Sequence, residues 1–220
     1  MITGPFNVSK AFAAGWKLTK QHWLVMVGLM LGLTIISLLL SLFQGTDFTS
    51  ARYWIITIIS LAISLVFNAG YLKMYLVAAD GEEPEFNLFG KCAKRALPLF
   101  FVSILFSLGT LIGLALLIIP GFWFISRFSF ASAALIDDEN CSVIEAFRRS
   151  YEMTKGKTWP VIGMYALCIL VMLAGFIALI VGIFFANVVV YFTYIAAYRM
   201  LYNPSQEETV IIEETAQPLS

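Results

Sequence analysis

Charge is what this chain has least of. It carries 14 Lys and Arg against 14 Asp and Glu in 220 residues, 13% charged, beside 60% hydrophobic residues. A soluble domain has about 25% charged residues, so the polar surface needed to cover a water-exposed globule is missing and the chain must face lipid. The net charge is zero, and no stretch has the concentrated positive face that nucleic acid requires. Histidine is nearly absent (His22 alone), and the three cysteines, Cys92, Cys141 and Cys168, form no C-x-x-C pair. That set builds no zinc site, and reduced structural thiols are expected. A Ser-His-Asp set, a Gly-rich phosphate loop and H-E-x-x-H are all missing. The expectation is a protein that is not an enzyme and has no catalytic residue, cofactor or metal. Alternation of apolar and polar residues over about ten positions is missing too, which excludes a transmembrane β-barrel.

What is present is long apolar runs. About 20 apolar residues cross the hydrocarbon core as a helix. Trp23–Phe43, Tyr53–Leu72 (continuing past Lys73 to Ala79) and Ala96–Ile119 meet that length. The third run stops at Pro120-Gly121, a strong turn dipeptide. Gly121–Ile136 is shorter and carries Arg127, and Pro160–Tyr198 is an uncharged run long enough for two spans with a tight turn near Gly175 or Gly182. Trp23–Phe43 exceeds the roughly 7–15 residues of a signal-peptide core, and no A-x-A-like site follows it, so it reads as an uncleaved span. The fold class is therefore an all-α integral membrane protein with six transmembrane helices.

Lysine and arginine set the orientation, because cytoplasmic loops keep an excess of them. With six spans, all of the 14 basic residues but Arg52 and Arg127 fall on the side of the termini. Both termini are thus expected in the cytoplasm. Trp23 and Trp159 on one side and Tyr53, Trp54 and Trp123 on the other form the interfacial aromatic belts.

The chain also repeats itself. Val8–Lys20 matches Val143–Lys155 at Val8/Val143, Ala11/Ala146, Phe12/Phe147, Thr19/Thr154 and Lys20/Lys155. Both stretches place an apolar stripe at helical spacing. A weaker copy starts at Phe86-Asn87-Leu88, echoing Phe6-Asn7-Val8. The reading is three parallel units of amphipathic helix plus helical hairpin, about 5–79, 86–136 and 142–202, in one membrane domain followed by a disordered acidic tail, 203–220. Ser142 and Glu145 make a capping box.

Candidate sites follow from residues that are out of place in lipid. Arg127 inside a span costs about 2.5–3.5 kcal/mol on insertion scales and marks either a ligand site or a structural, snorkelling side chain. Asn68 and Asn187 are the other midspan polar residues. The clusters Asp80, Glu82, Glu83, Glu85 and Asp137, Asp138, Glu139 sit at equivalent places after a hairpin, where solvation in loops is the expectation. Gly28 with Gly32, and Gly109 with Gly113, have the spacing that lets helix backbones approach. They suit packing within the chain or against a second copy. Lys10, Lys17, Arg148, Arg149, Glu152 and Lys155 form the expected cytoplasmic docking face.

The motifs Gly81-Glu82-Glu83-Pro84-Glu85-Phe86-Asn87-Leu88-Phe89, Ile119-Pro120-Gly121, Arg127-Phe128-Ser129-Phe130-Ala131 and Glu145-Ala146-Phe147-Arg148-Arg149-Ser150 resemble small bacterial inner-membrane proteins of unassigned function. That group is similar to the membrane domain preceding the catalytic barrel of some glycerophosphodiester phosphodiesterases. The barrel and its metal-binding residues are missing here, so the resemblance implies a bacterial inner-membrane location and no activity. Two function classes follow. One is a scaffold or interaction protein acting through partners or lipids at the cytoplasmic face, with the bilayer, a protein partner or a second copy to bind. The other is a transporter or channel for a small or lipidic substrate, built on Arg127 and the midspan asparagines.

Overall fold

The computed structural model describes residues 6–44, 48–116 and 118–202. The acidic tail lies outside the described residues. Eight helices are described: α1 Val8–Gln44, α2 Ala51–Ala79, α3 Asn87–Leu116, α4 Ile118–Phe128, α5 Ala131–Asp137, α6 Val143–Met153, α7 Thr158–Ile177 and α8 Leu179–Leu201. No strand occurs among the described residues. Five helices are long and apolar enough to cross a membrane: α1, α2, α3, α7 and most of α8. This is a helical multi-pass membrane protein.

Element boundaries depart from the apolar runs for local reasons. The amphipathic start of the first run is not a separate helix, because α1 continues from Val8 through to Gln44. The matching stretch α6 does stop, and Gly156, three residues after its end, has φ 77°. Gly supplies that left-handed conformation without a Cβ clash, whereas the first copy has Gln21 at the same place. The fourth segment is not a single short helix over 121–136. The described part of α4 already includes Ile118, Ile119 and Pro120. The segment is then broken at Ser129 and Phe130 into α4 and α5. The break is held from outside: the Phe130 N–H donates to Ser150 Oγ (3.1 Å), and Ser150 Oγ donates to the Arg127 carbonyl (2.8 Å). The last run turns at Ala178, with Gly175 and Gly182 pressed together across the turn: a Cβ on Gly175 would lie 2.7 Å from the Gly182 carbonyl oxygen.

Three segments carry most of the core. Buried residues concentrate in Ala69–Ala79, Phe130–Ile136 and Ala186–Leu201. Each is covered by an amphipathic segment from elsewhere in the chain. The start of α1 lies on α8, where a Cβ on Gly15 would come 2.6 Å from Thr193. The start of α3 lies on α2, with the Phe89 ring over Gly70. Helix α6 lies on α4 and α5 through Ser150. Small buried residues one turn apart allow each approach: Ala11 and Gly15, Cys92 and Ala96, Ala146 and Ser150. Thr19 and Thr154 repeat even the same local bond, each hydroxyl donating 2.8 Å to the carbonyl four residues back, Gly15 and Ser150 respectively.

Candidate functional site

The ends of α2, α5 and α8 meet. Asp80 follows α2, Asp137 closes α5, and Arg199 lies in the last turn of α8. The guanidinium of Arg199 bridges the two carboxylates. Its Nη1 donates to Asp137 Oδ2 (2.6 Å), and its Nη2 donates to Asp137 Oδ1 (2.8 Å) and to Asp80 Oδ2 (2.6 Å). The two-point contact with Asp137 is the fork geometry for which arginine is suited. Tyr198 adds a hydroxyl donated to Asp137 Oδ2 at 2.9 Å. The Arg199 and Asp137 side chains are only 15% and 17% exposed, so water screens the pair weakly.

The same short segment collects every neighbouring cation. Lys73 of α2 donates to the carbonyls of Ile136 and Asp137, each at 3.3 Å. Arg95 of α3 donates to the carbonyls of Asp138 (2.6 Å) and Cys141 (2.7 Å). Arg149 of α6 pairs with Asp138 (2.9 Å) and with Glu145 (2.7 Å). The backbone N–H of Asn140, then Arg149, hold the Asp138 carboxyl below the usual carboxylate range. Burial pushes the Cys141 thiol up to about 11. Residues 137–141 are thus a hub clamped from α2, α3, α6 and α8.

The sequence-predicted residues divide sharply. Arg149 is not on an outward docking face: it turns inward to the hub, 16% exposed. Lys10, Lys17 and Lys155 are exposed, and Arg148 and Glu152 pair at 3.7 Å on the surface. Asp80, Asp137 and Asp138 are ion-paired rather than simply solvated, which corrects the expectation for those three, while Glu82, Glu83, Glu85 and Glu139 are exposed. Arg127 sits over the rings of Trp123 (5.6 Å) and Tyr151 (5.0 Å), and its Nε and Nη1 are buried without a hydrogen-bond partner. Asn68 lines a cavity between helices, but Arg127 and Asn187 do not line it. The three midspan polar residues are not brought together. Gly109 packs on Phe124, and Gly113 on Gly121. A Cβ built on Gly28 or Gly32 would meet nothing within 4 Å among the described residues, so neither marks a close helix approach there.

Arg199 was missed, though the sequence carried a signal for it. Asn68, Tyr75, Ala78 and Asp80 recur at the same spacing as Asn187, Tyr194, Ala197 and Arg199. Aligning those helix ends places a cation where its counterpart has an anion. Chemically the cluster suits holding rather than reacting. His22 lies against the Phe192 ring (centroids 6.3 Å apart), and among the described residues no group of three or more His, Cys, Asp or Glu is placed to hold a metal ion. No family model matches this chain, and no curated protein or solved structure is measurably similar to it.

Proposed function

We propose that this is a six-span bacterial inner-membrane protein of three repeated units, both termini in the cytoplasm, that works without catalysis as an interaction scaffold at the cytoplasmic membrane surface. The six-span count is supported by Arg199: it holds Asp80 and Asp137 at once, so the chain that leaves through α3 returns through α4 and α5. The repeat is supported by the closed order in which each amphipathic segment lies on the second helix of another hairpin.

The partner class this surface fits is the anionic lipid headgroup. One observation carries that choice. The apolar stripes of the amphipathic segments are already occupied by the protein's own helices, and the arginines Arg95, Arg149 and Arg199 are occupied by the hub. What remains outward is Lys10, Lys17, Lys20, Lys91, Lys94 and Lys155, beside the exposed rings of Trp16, Trp23 and Trp159. Cations at a membrane surface gain about 1 kcal/mol each from anionic lipid, and the indoles suit the headgroup level.

Native mass spectrometry during delipidation tests this. The wild type should retain phosphatidylglycerol over phosphatidylcholine, and a variant with Lys10, Lys17, Lys91, Lys94 and Lys155 changed to Gln should lose that preference. Equal retention of both lipids by the wild type would overturn the reading. The second class, uptake of a small or lipidic substrate, is favoured only by the cavity at Asn68.

A further inference from the structure

We infer that the cavity between α2, α3, α5, α7 and α8 is a binding site for an uncharged single-chain amphiphile, an alkyl or acyl chain bearing a small head with hydrogen-bond donors. The cavity measures about 590 Å³, within the range of roughly 300–1,000 Å³ usual for small-molecule sites. It does not end at its own walls. Tyr165, Cys168 and Val190 line it and also line a second, apolar groove of about 480 Å³ that runs between α7 and α8 to Phe176 and Ile183. From Tyr165 to Phe176 that groove follows about 16 Å of helix. A chamber with polar groups thus adjoins an apolar slot at Tyr165, Cys168 and Val190, and a headed chain would lie along both with its neck at those three residues.

The chemistry of the head follows from the lining. No charged side chain lines either space among the described residues. An ionised head would be buried without compensation, at a prohibitive cost, so the head is neutral. Of the six hydroxyls in the lining, three donate to backbone carbonyls. Ser103 donates to the Leu99 carbonyl (2.9 Å), Tyr194 to the Ser129 carbonyl (2.8 Å) and Tyr71 to the Met26 carbonyl (3.3 Å). Ser103 and Tyr194 keep acceptor capacity for a ligand, whereas the Tyr71 hydroxyl is also shared with that of Tyr75 at 2.7 Å. Asn68 donates one amide N–H to the Ser64 carbonyl (2.7 Å) and retains its carbonyl oxygen. A site rich in acceptors selects hydroxyl or amide donors.

The direction agrees with a lipid of the leaflet beside the hub. The chamber includes Ser132 of α5 and Tyr194 of α8, near the hub, and the slot leads away from it. This inference needs only the membrane location and does not depend on headgroup binding by the outward lysines.

The test uses the full chain in phosphatidylcholine nanodiscs and a monooleoylglycerol probe carrying a photoreactive diazirine in its chain. Peptide mapping should place saturable label between Tyr165 and Phe176 and around Val190. Unlabelled monooleoylglycerol should compete at least about tenfold better than oleoyl lysophosphatidylglycerol, a difference of about 1.4 kcal/mol. Filling the neck with Cys168→Trp should cut labelling about tenfold or more, and Asn68→Leu about three- to tenfold, as loss of one hydrogen bond predicts. Where Cys168→Trp does not give a monodisperse protein, Val190→Phe fills the same neck. Label spread over the outward faces of α1 and α3 and indifferent to the neck variant would overturn the site, since any bulk lipid chain would then account for it. Equal competition by the anionic lipid would overturn the neutral head.

Discussion

The two ends of this molecule are built on opposite principles. At the hub end, Ala69–Ala79, Phe130–Ile136 and Ala186–Leu201 are buried, and four cationic side chains close on one short segment. At the far end, Leu38, Leu42, Ile55, Ile58, Leu111 and Leu116 stand 57–72% exposed on their own helices. Lipid covers that end as well as protein would, so sequence there needs only to be apolar. The hub end sits where water reaches charge, and there the hairpins can be joined only by specific pairs. The comparison teaches that stability and uniqueness of this fold reside in the hub, while the hairpin tips supply insertion.

Removing the bridging guanidinium tests that division most strongly. Arg199→Ala leaves Asp80 and Asp137 facing each other without a cation. It should lower stability by about 2–4 kcal/mol, the scale of a broken, partly buried pair. Leu42→Ala at the far end should change it by less than about 0.5 kcal/mol. A tryptophan-fluorescence melt in mild detergent reads both, and equal midpoints would erase the contrast. Next in size is Ser150→Ala, which strands the buried Phe130 N–H at the α4–α5 break. About 1–3 kcal/mol is expected, again by the melt, with a rise in hydrogen exchange confined to residues 127–137. Gly109→Leu should cost about 1–3 kcal/mol through overpacking against Phe124. Gly28→Leu, with open space around it, should leave the melt unchanged. The smallest effect is from Asp138. Its folded carboxyl lies below the ordinary range, so its contribution is present above that range and is lost as pH falls through the folded value. Asp138→Asn should therefore lower stability modestly at neutral pH and flatten the acid limb of a stability-versus-pH curve, the two proteins converging at low pH.

Much of the fold was legible because lipid imposes a simple rule. Uninterrupted apolar runs and the lopsided lysines and arginines are read directly, as is the Ser142 cap, whose side chain accepts from the Glu145 N–H at 3.2 Å. The broken fourth segment was not legible, because its break depends on Ser150, a residue 20 positions away that offers the backbone an alternative partner. Arg199 was legible only through the spacing it shares with Asp80: taken alone, an arginine at the end of an apolar helix looks like an orientation signal until Asp80 and Asp137 are brought beside it. Gly28 and Gly32 show the converse. A packing motif in sequence says that approach is allowed, and only the neighbouring helix decides whether it happens.

The ends of α2, α5 and α8 are held together on one face of the membrane. Arg199 contacts Asp80 and Asp137 together, so the loops after α2 and α5 must lie on one side. Single cysteines at Glu83, Asn140 and Ser50, in a background lacking Cys92, Cys141 and Cys168, can be challenged with a membrane-impermeant maleimide in intact cells. The account predicts labelling at Ser50 and protection of both Glu83 and Asn140 until the membrane is opened. Labelling of Asn140 in intact cells with Glu83 protected would separate the two carboxylates across the bilayer and contradict it.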